Sequence, residues 1–277
     1  MQLIHSVAEL RARLASEPPV AFVPTMGNLH AGHLDLVRIA RQHGRCVVVS
    51  IFVNPLQFGV GEDFDQYPRT LEADCAQLDG LADVVFAPSV AEMYPAPQTM
   101  TVTPPPIASE LCGAARPGHF SGVATVVLKL FNLVQPQVAV FGKKDYQQLH
   151  VIRQLVAQFN LPITIIGGET VRAADGLALS SRNQYLSAAE RGAAVFLSQT
   201  LQTVKQNLCA GVRDTAALEQ QALESLAQRG WQVDYVAIRS QATLAAPAPG
   251  ERALVVLAAA RLGHTRLIDN LEICLEG

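Results

Sequence analysis

"PVAFVPTMGNLHAGHL", residues 19–34, decides how the rest of the chain is read. Its first half is a short apolar run, β-branched and aromatic, that stops at Pro24. Its second half carries two glycines, two histidines three residues apart, and a helical period from about Gly32. A buried strand, a glycine-containing turn and a helix in that order open a βαβ unit. The helix N-terminus then faces the carboxyl edge of a parallel sheet, where free N–H groups and the positive dipole end attract phosphate. Gly27 and Gly32 leave room for close backbone approach to a ligand. His30 and His33 carry two readings by themselves. Both imidazoles can turn on one anion, donating hydrogen bonds and, if protonated, charge. Alternatively one caps the helix and the other packs in the core.

The same alternation continues outward from this stretch. "CVVVSIFV" (46–53), "DVVFAP" (83–88), "VAVFG" (138–142) and "ITIIG" (163–167) read as buried parallel strands. Helical periods fill residues 32–43, 69–79, 121–134 and 145–159 between them. That pattern predicts an α/β fold built on a doubly wound parallel sheet. Beyond about residue 173 it changes. Two amphipathic helices, 187–210 and 214–229, precede three strand-like runs beginning at Trp231, Arg252 and Thr265. Helices followed by a small antiparallel sheet predict a second, α+β domain, so the expected division is 1–173 and 174–277. The polar stretch 169–186 joins the two as a hinge.

Composition narrows the function. Only 16% of the 277 residues are charged, the formal net charge is −3, and no basic block stands out. A nucleic-acid or membrane surface is therefore not the expected partner, and an anionic ligand must be held by a few local groups. Five widely spaced cysteines with no C-x-x-C pair predict reduced thiols in a cytoplasmic protein. The N-terminal stretch has no basic region followed by an apolar core, so no signal peptide is expected. No run approaches the ~20 apolar residues of a membrane helix. G-x-x-x-x-G-K-[ST] and G-x-G-x-x-G are both missing, so phosphate must be bound in another way. No G-x-S-x-G or Cys/His pair suggests a covalent intermediate.

Four blocks, taken in order, carry a resemblance: "PTMGNLHAGHL" (24–34), "FVNPLQF" (52–58) with "YPRT" (67–70), "RPGHFSGVATVVLKLFNLVQPQVAVFGKKDYQQ" (116–148), and "DGLALSSRNQYL" (175–186). "HAGH" resembles the HIGH motif of the nucleotidylyltransferase superfamily, and the four blocks together resemble the pantothenate synthetase (pantoate–β-alanine ligase) family. The resemblance spans nearly the whole chain. It implies a Rossmann-like domain of the HIGH type with a smaller C-terminal domain. It also implies ATP-dependent condensation of (R)-pantoate with β-alanine through a pantoyl adenylate, giving pantothenate, AMP and pyrophosphate on the way to coenzyme A. Mg²⁺ would accompany ATP with no committed protein ligand, and the family is commonly homodimeric.

Roles follow residue by residue from that resemblance. Met26, Gly27, Asn28, Leu29, His30, Ala31, Gly32 and His33 would line the nucleotide site, with His33 the proton donor. Gly142, Lys143, Lys144 and Asp145 would form a second turn at the sheet edge. Lys144 would reach the α-phosphate and Asp145 the ribose, although Lys143 beside it leaves open which lysine matters. Leu179, Ser180, Ser181 and Arg182 stand in place of the mobile KMSKS-like loop, gripping the β- and γ-phosphates. Val171 would offer backbone to adenine. Gln57 and Gln148 would hold pantoate, with Gln57 also at the β-alanine site, while Met26 and Phe58 would pack on its geminal methyls. Asn54 and Tyr67 are expected near this pocket. Arg116 and His119 are as compatible with a structural role in their loop as with catalysis, and Asp74 reads best as an exposed helical residue. Other HIGH-type transferases and a non-catalytic nucleotide sensor are the competing readings. Gln57, Gln148 and the extra domain argue against the first, and the intact set of His30, His33, Lys144, Ser180, Ser181 and Arg182 against the second.

Overall fold

A computed structural model describes residues 1–17, 19–59 and 61–276. Six strands form one sheet: β1 (Gln2–Ile4), β2 (Val20–Thr25), β3 (Cys46–Ile51), β4 (Val84–Phe86), β5 (Val138–Gly142) and β6 (Thr164–Gly168). Their order is β1-β4-β3-β2-β5-β6, and every pairing is parallel. The helices that follow these strands are α1 (Val7–Leu14), α2 (Ala31–His43), α3 (Leu71–Leu78), α4 (Val90–Met93), α5 (Cys112–Ala115), α6 (His119–Val134) and α7 (Tyr146–Gln158). Side chains along β2 alternate between two cores, as the pleat requires. Val20 and Phe22 join the α6 and α7 side with Val127, Phe131 and Ile152. Ala21 and Val23 join the α2 side with Leu36, Val37 and Ala40. Burying one such Phe or Leu contributes about 1.5–3 kcal/mol.

The strand order matters for function. From β2 the chain winds outward through β3 and β4 in one direction, and β5 and β6 extend the sheet in the other. The order therefore reverses between β2 and β5, and the crevice at their carboxyl ends is where such sheets bind ligands. The turn after β2 carries the two histidines, and the turn after β5 carries the two lysines.

A second sheet is antiparallel, β7 (Gln232–Ser240), β8 (Ala253–Leu262) and β9 (Thr265–Cys274), in the order β7-β8-β9. It packs with α9 (Val195–Cys209) and α10 (Thr215–Ala227), around Leu197, Leu201, Leu226, Trp231 and Ile238. The helix expected over 187–210 is two helices, α8 (Ala188–Ala193) and α9, separated by Ala194. The sixth strand lies one residue later than its apolar run. Both β1 and α1 lacked a sequence expectation, since a three-residue edge strand is too short to show a period.

Candidate active site

The turn after β2 is held from below. Thr25 Oγ1 accepts from the Gly27 N–H at 3.2 Å and donates to the Ser50 carbonyl at 2.8 Å. Gly27 has φ +82°, and a Cβ there would stand 3.0 Å from both Asp74 Oδ2 and Ile51 Cγ2. Asp74 is buried, contrary to the expected exposed helical position. Its carboxylate accepts from the Asn28 N–H at 2.9 Å, the Leu29 N–H at 2.8 Å and the Thr70 hydroxyl at 3.1 Å. The amides of Asn28 and Leu29 are thus committed to Asp74, which fixes the shape of the turn.

Both imidazoles take part in capping α2, and neither is packed away in the core. His30 is the N-cap of α2, and its Nδ1 accepts from the Gly32 N–H at 3.1 Å. His33 Nδ1 accepts from the His30 N–H at 3.3 Å, completing a capping box in which imidazoles replace the usual Ser and Glu. Because each Nδ1 is an acceptor, each neutral ring carries its proton on Nε2. The rings lie 4.1 Å apart by centroid, and both line the crevice. Burial, and then the Lys144 ammonium, lowers His30 to about 4. Burial, and then His30, lowers His33 to about 3. At neutral pH both are uncharged donors. The charge expected of them is absent until an anion arrives to raise their pKa.

Two adjoining cavities occupy the crevice, of about 220 and 450 Å³. Small-molecule sites run roughly 300–1,000 Å³. The smaller brings together Met26, His30, Gly32, His33, Asn54, Gln57, Tyr67, Gly142, Lys144, Asp145, Gln148, Val171, Leu179, Ser180, Ser181 and Arg182. Lys144, Asp145, Gln148, Ser180 and Arg182 also line the larger one.

Several expected residues sit elsewhere. Gly27, Asn28, Leu29 and Ala31 form the supporting turn rather than the lining. Lys143 is paired with Glu169 at 2.6 Å and Glu272 at 2.7 Å, so Lys144 is the lysine the cavity receives. Phe58 stacks edge-on with Phe64 and Tyr67 instead of lining the crevice. The apolar wall comes instead from Phe52 and Phe141 and from Val123, Val126, Val127 and Leu130 of α6. The sequence signal for these was an all-apolar helix, which any core helix also shows.

Gln57 is oriented by a relay. The Tyr94 hydroxyl donates to Asn54 Oδ1 at 2.8 Å, and Asn54 Nδ2 donates to Gln57 Oε1 at 3.1 Å. Gln57 Nε2 is left on Met26 Sδ, a weak acceptor, at 3.1 Å. A ligand oxygen would be the better partner. The turn 55–57 seats against α6 at Gly122, where a Cβ would fall 2.1 Å from the Leu56 carbonyl oxygen. His119 Nε2 can only accept from Arg116 Nη1, at 2.9 Å, so its Nδ1–H donates to the Gln57 carbonyl at 2.8 Å. Burial, and then Arg116, lowers His119 to about 4. Arg116 and His119 therefore support Gln57 from behind. Arg116 in turn holds the Glu62 carboxyl below its usual range.

The 179–182 loop docks on the first turn, with the Ser181 hydroxyl donating to the Asn28 carbonyl at 3.1 Å. Arg182 meets Asp63 through two N–H···O contacts, at 3.1 and 3.0 Å. Val171 accepts the Leu179 N–H at 2.9 Å. Among the described residues, no three His, Cys, Asp or Glu side chains gather as a metal site, and no helix is long and apolar enough to cross a membrane.

Comparison with known proteins agrees along the full length. Residues 2–272 match the family model described as pantoate-beta-alanine ligase. A pantothenate synthetase from Methylobacillus flagellatus is 62% identical over 273 residues, 98% of each chain. The crystal structure of pantothenate synthetase from Thermus thermophilus superimposes with TM-score 0.92 at 47% identity, covering 98% of this chain and 99% of that one. That of the Francisella tularensis pantoate-beta-alanine ligase, complexed with beta-gamma ATP and beta-alanine, superimposes with TM-score 0.84 at 33% identity, covering 98% and 97%.

Proposed function

The chain belongs to the pantoate-beta-alanine ligase family and is an ATP-using enzyme that forms pantothenate from pantoate and β-alanine, and from that premise we propose which of its residues do the work. The observation that carries the assignment is the convergence of two Nε2–H imidazoles, Lys144 and Arg182 on one crevice whose far wall is Gln57, Gln148 and apolar α6. Four phosphate-binding groups meet two amides and a hydrophobic surface, matching a polyphosphate beside a hydroxy acid with geminal methyls.

In the first half-reaction a pantoate carboxylate oxygen attacks the α-phosphorus of ATP. The new P–O bond forms as the α–β anhydride bond breaks, and pyrophosphate leaves. His30 and His33 donate Nε2–H bonds to phosphate oxygens, His33 serving as proton donor as its pKa rises under the anion. Lys144 meets the α-phosphate, and Ser180, Ser181 and Arg182 follow the departing pyrophosphate, with Leu179 closing over the nucleotide. Gly142 and Asp145 take the ribose and the Val171 N–H the base. Gln57 and Gln148 hold pantoate, and Met26, Asn54 and Tyr67 complete its pocket. In the second half-reaction the β-alanine amine, guided by Gln57, attacks the acyl carbon and expels AMP, losing a proton. Neither step needs a covalent enzyme intermediate, so the rate comes from positioning and charge stabilisation.

Mg²⁺ fits this donor set as a passenger on the nucleotide. Asp74 is committed to backbone amides, and Glu62 and Asp63 to arginines, which leaves few carboxylates for a dedicated site. The ion would neutralise charge on the bridging phosphate oxygens. We divide the chain at 173/174, since Leu177 shortly after it is already buried in the second core. We assign the enzyme to the cytoplasm on its five free cysteines, and as a homodimer on the resemblance.

The test is pantoate-dependent exchange of labelled pyrophosphate into ATP without β-alanine. Exchange, followed by pantothenate and AMP once β-alanine is added, supports the adenylate route. Product formation with no exchange and no trapped pyrophosphate would overturn it.

A further inference from the structure

The proposed steps use nothing from the C-terminal sheet, yet the stretch "DNLE" (269–272) within the edge strand β9 reaches into the first domain. Asn270 is buried. Its side-chain amide donates to two successive carbonyls, Lys143 O and Lys144 O, each at 2.9 Å. Glu272, two residues on and so on the same face of the strand, takes the Lys143 ammonium at 2.7 Å and the Tyr146 hydroxyl at 2.8 Å. Two side chains thus hold three of the four residues 143–146: Lys143, Lys144 and Tyr146. On the opposite face Asp269 pairs with Arg172 through both carboxylate oxygens, at 2.7 and 2.8 Å. Arg172 roots the segment that leads to Ser180 and Arg182.

The arrangement answers a particular problem. Lys143 and Lys144 are adjacent, chemically identical, and lie on a single 3-10 turn before α7. Adjacent residues of such a turn point about 120° apart, so a rotation of about a third of a turn would exchange which ammonium faces the crevice. Donation to both carbonyls fixes the rotation of the two peptide planes, and Glu272 neutralises the lysine that faces away. We propose that Asn270, assisted by Glu272, is the positioning residue that directs Lys144 at the phosphates of the nucleotide, so that the C-terminal sheet sets ATP affinity rather than merely covering the site. This inference rests on the reading of Lys144 as a phosphate contact.

The experiment measures ATP and pantoate dissociation constants for the intact enzyme, Asn270→Ala, Lys144→Ala and the double variant, with thermal unfolding alongside. Asn270→Ala should weaken ATP about tenfold while leaving pantoate within about twofold. The double variant should bind ATP no more weakly than Lys144→Ala alone by more than about twofold, because both changes remove one contact. Equal losses for both ligands, or multiplying losses in the double variant, would mean a merely structural role and overturn the inference. Lys144→Ala with unchanged ATP affinity would overturn the reading of Lys144 and the inference with it. Lys144→Ala weakening ATP while Asn270→Ala does not would overturn the inference alone. Should Asn270→Ala not fold, Glu272→Gln is the second variant. It is expected to weaken ATP about threefold with the same selectivity over pantoate, and no change would count against the inference.

Discussion

The turn at 25–33 and the segment at 172–182 face each other across the crevice and are secured by different means. The turn is capped by its own imidazoles and pinned by Asp74, 45 and 46 residues away, which is buried and takes three hydrogen bonds. The segment depends on partners 97, 119 and 153 residues away: Asp269, Asp63 and Asn28. Its root, Arg172 on the buried Asp269, resembles the turn in being withdrawn from water. Its tip is different, because Arg182 and Asp63 are both partly exposed, with side chains 32% and 25% accessible. Partly exposed ion pairs contribute roughly 0–1 kcal/mol and yield to a competing anion. The turn is therefore scaffold, whereas the tip is proposed to exchange its carboxylate partner for phosphate and to move as it does so.

The largest effect expected concerns the turn's chemistry. His33→Ala should reduce pantoate-dependent pyrophosphate exchange by about 10²–10³, with the pantoate KM little changed. A loss below about tenfold would show that the imidazole caps the helix and does nothing more. Next comes the turn's anchor. Asp74→Ala leaves two backbone donors without their carboxylate and should cost about 3 kcal/mol in denaturant unfolding. Asp63→Asn should cost under about 1 kcal/mol, and equal losses from the two would erase the distinction between scaffold and tip.

Acid should act on the scaffold side. The folded-state values of about 4, 3 and 4 for His30, His33 and His119 lie below the ordinary 6.5. The unfolded chain consequently binds protons first as pH falls. Stability from these groups is fully present above 6.5 and drains away as pH falls through about 4. Urea midpoints taken from pH 7.5 to 4 should decline below 6.5, and less steeply with ATP bound. A flat profile would mean that the rings are not held neutral.

Tyr94→Phe removes the first donor of the relay that orients Gln57 while keeping the ring. Steady-state assays should show the pantoate KM raised about three- to tenfold with the ATP KM unchanged. The smallest effect belongs to the tip. Asp63→Asn should tighten ATP about two- to fivefold by removing Arg182's resident carboxylate, read by direct titration. Weaker ATP binding would show instead that Asp63 holds Arg182 in its working position.

Legibility in the sequence followed the same division. His30, His33 and Gly32 could be read from a single stretch, because a strand, a turn and a helix start are local events. Gln57 and Gln148 were read from family blocks, but the orientation of Gln57 was not, since Tyr94 and Asn54 are 40 residues apart. Phe58 was expected at the methyls of pantoate and lies in an aromatic cluster instead. An apolar side chain shows that it will be buried, not against what. Asp74 was misread for the converse reason: nothing local marks an aspartate that takes two amides of a turn 45 and 46 residues away.

By itself the sequence determined the alternation of strands and helices and the two-sheet organisation. Those depend on the period of apolar residues and on glycine and proline at turns, which each short stretch carries within itself. Only the tertiary structure decided which of two adjacent lysines faces the crevice, which nitrogen of each histidine bears its proton, and that Asn270 and Glu272 of β9 reach the turn after β5. Each of those is settled by a hydrogen bond or ion pair whose two ends meet only after the intervening chain has closed.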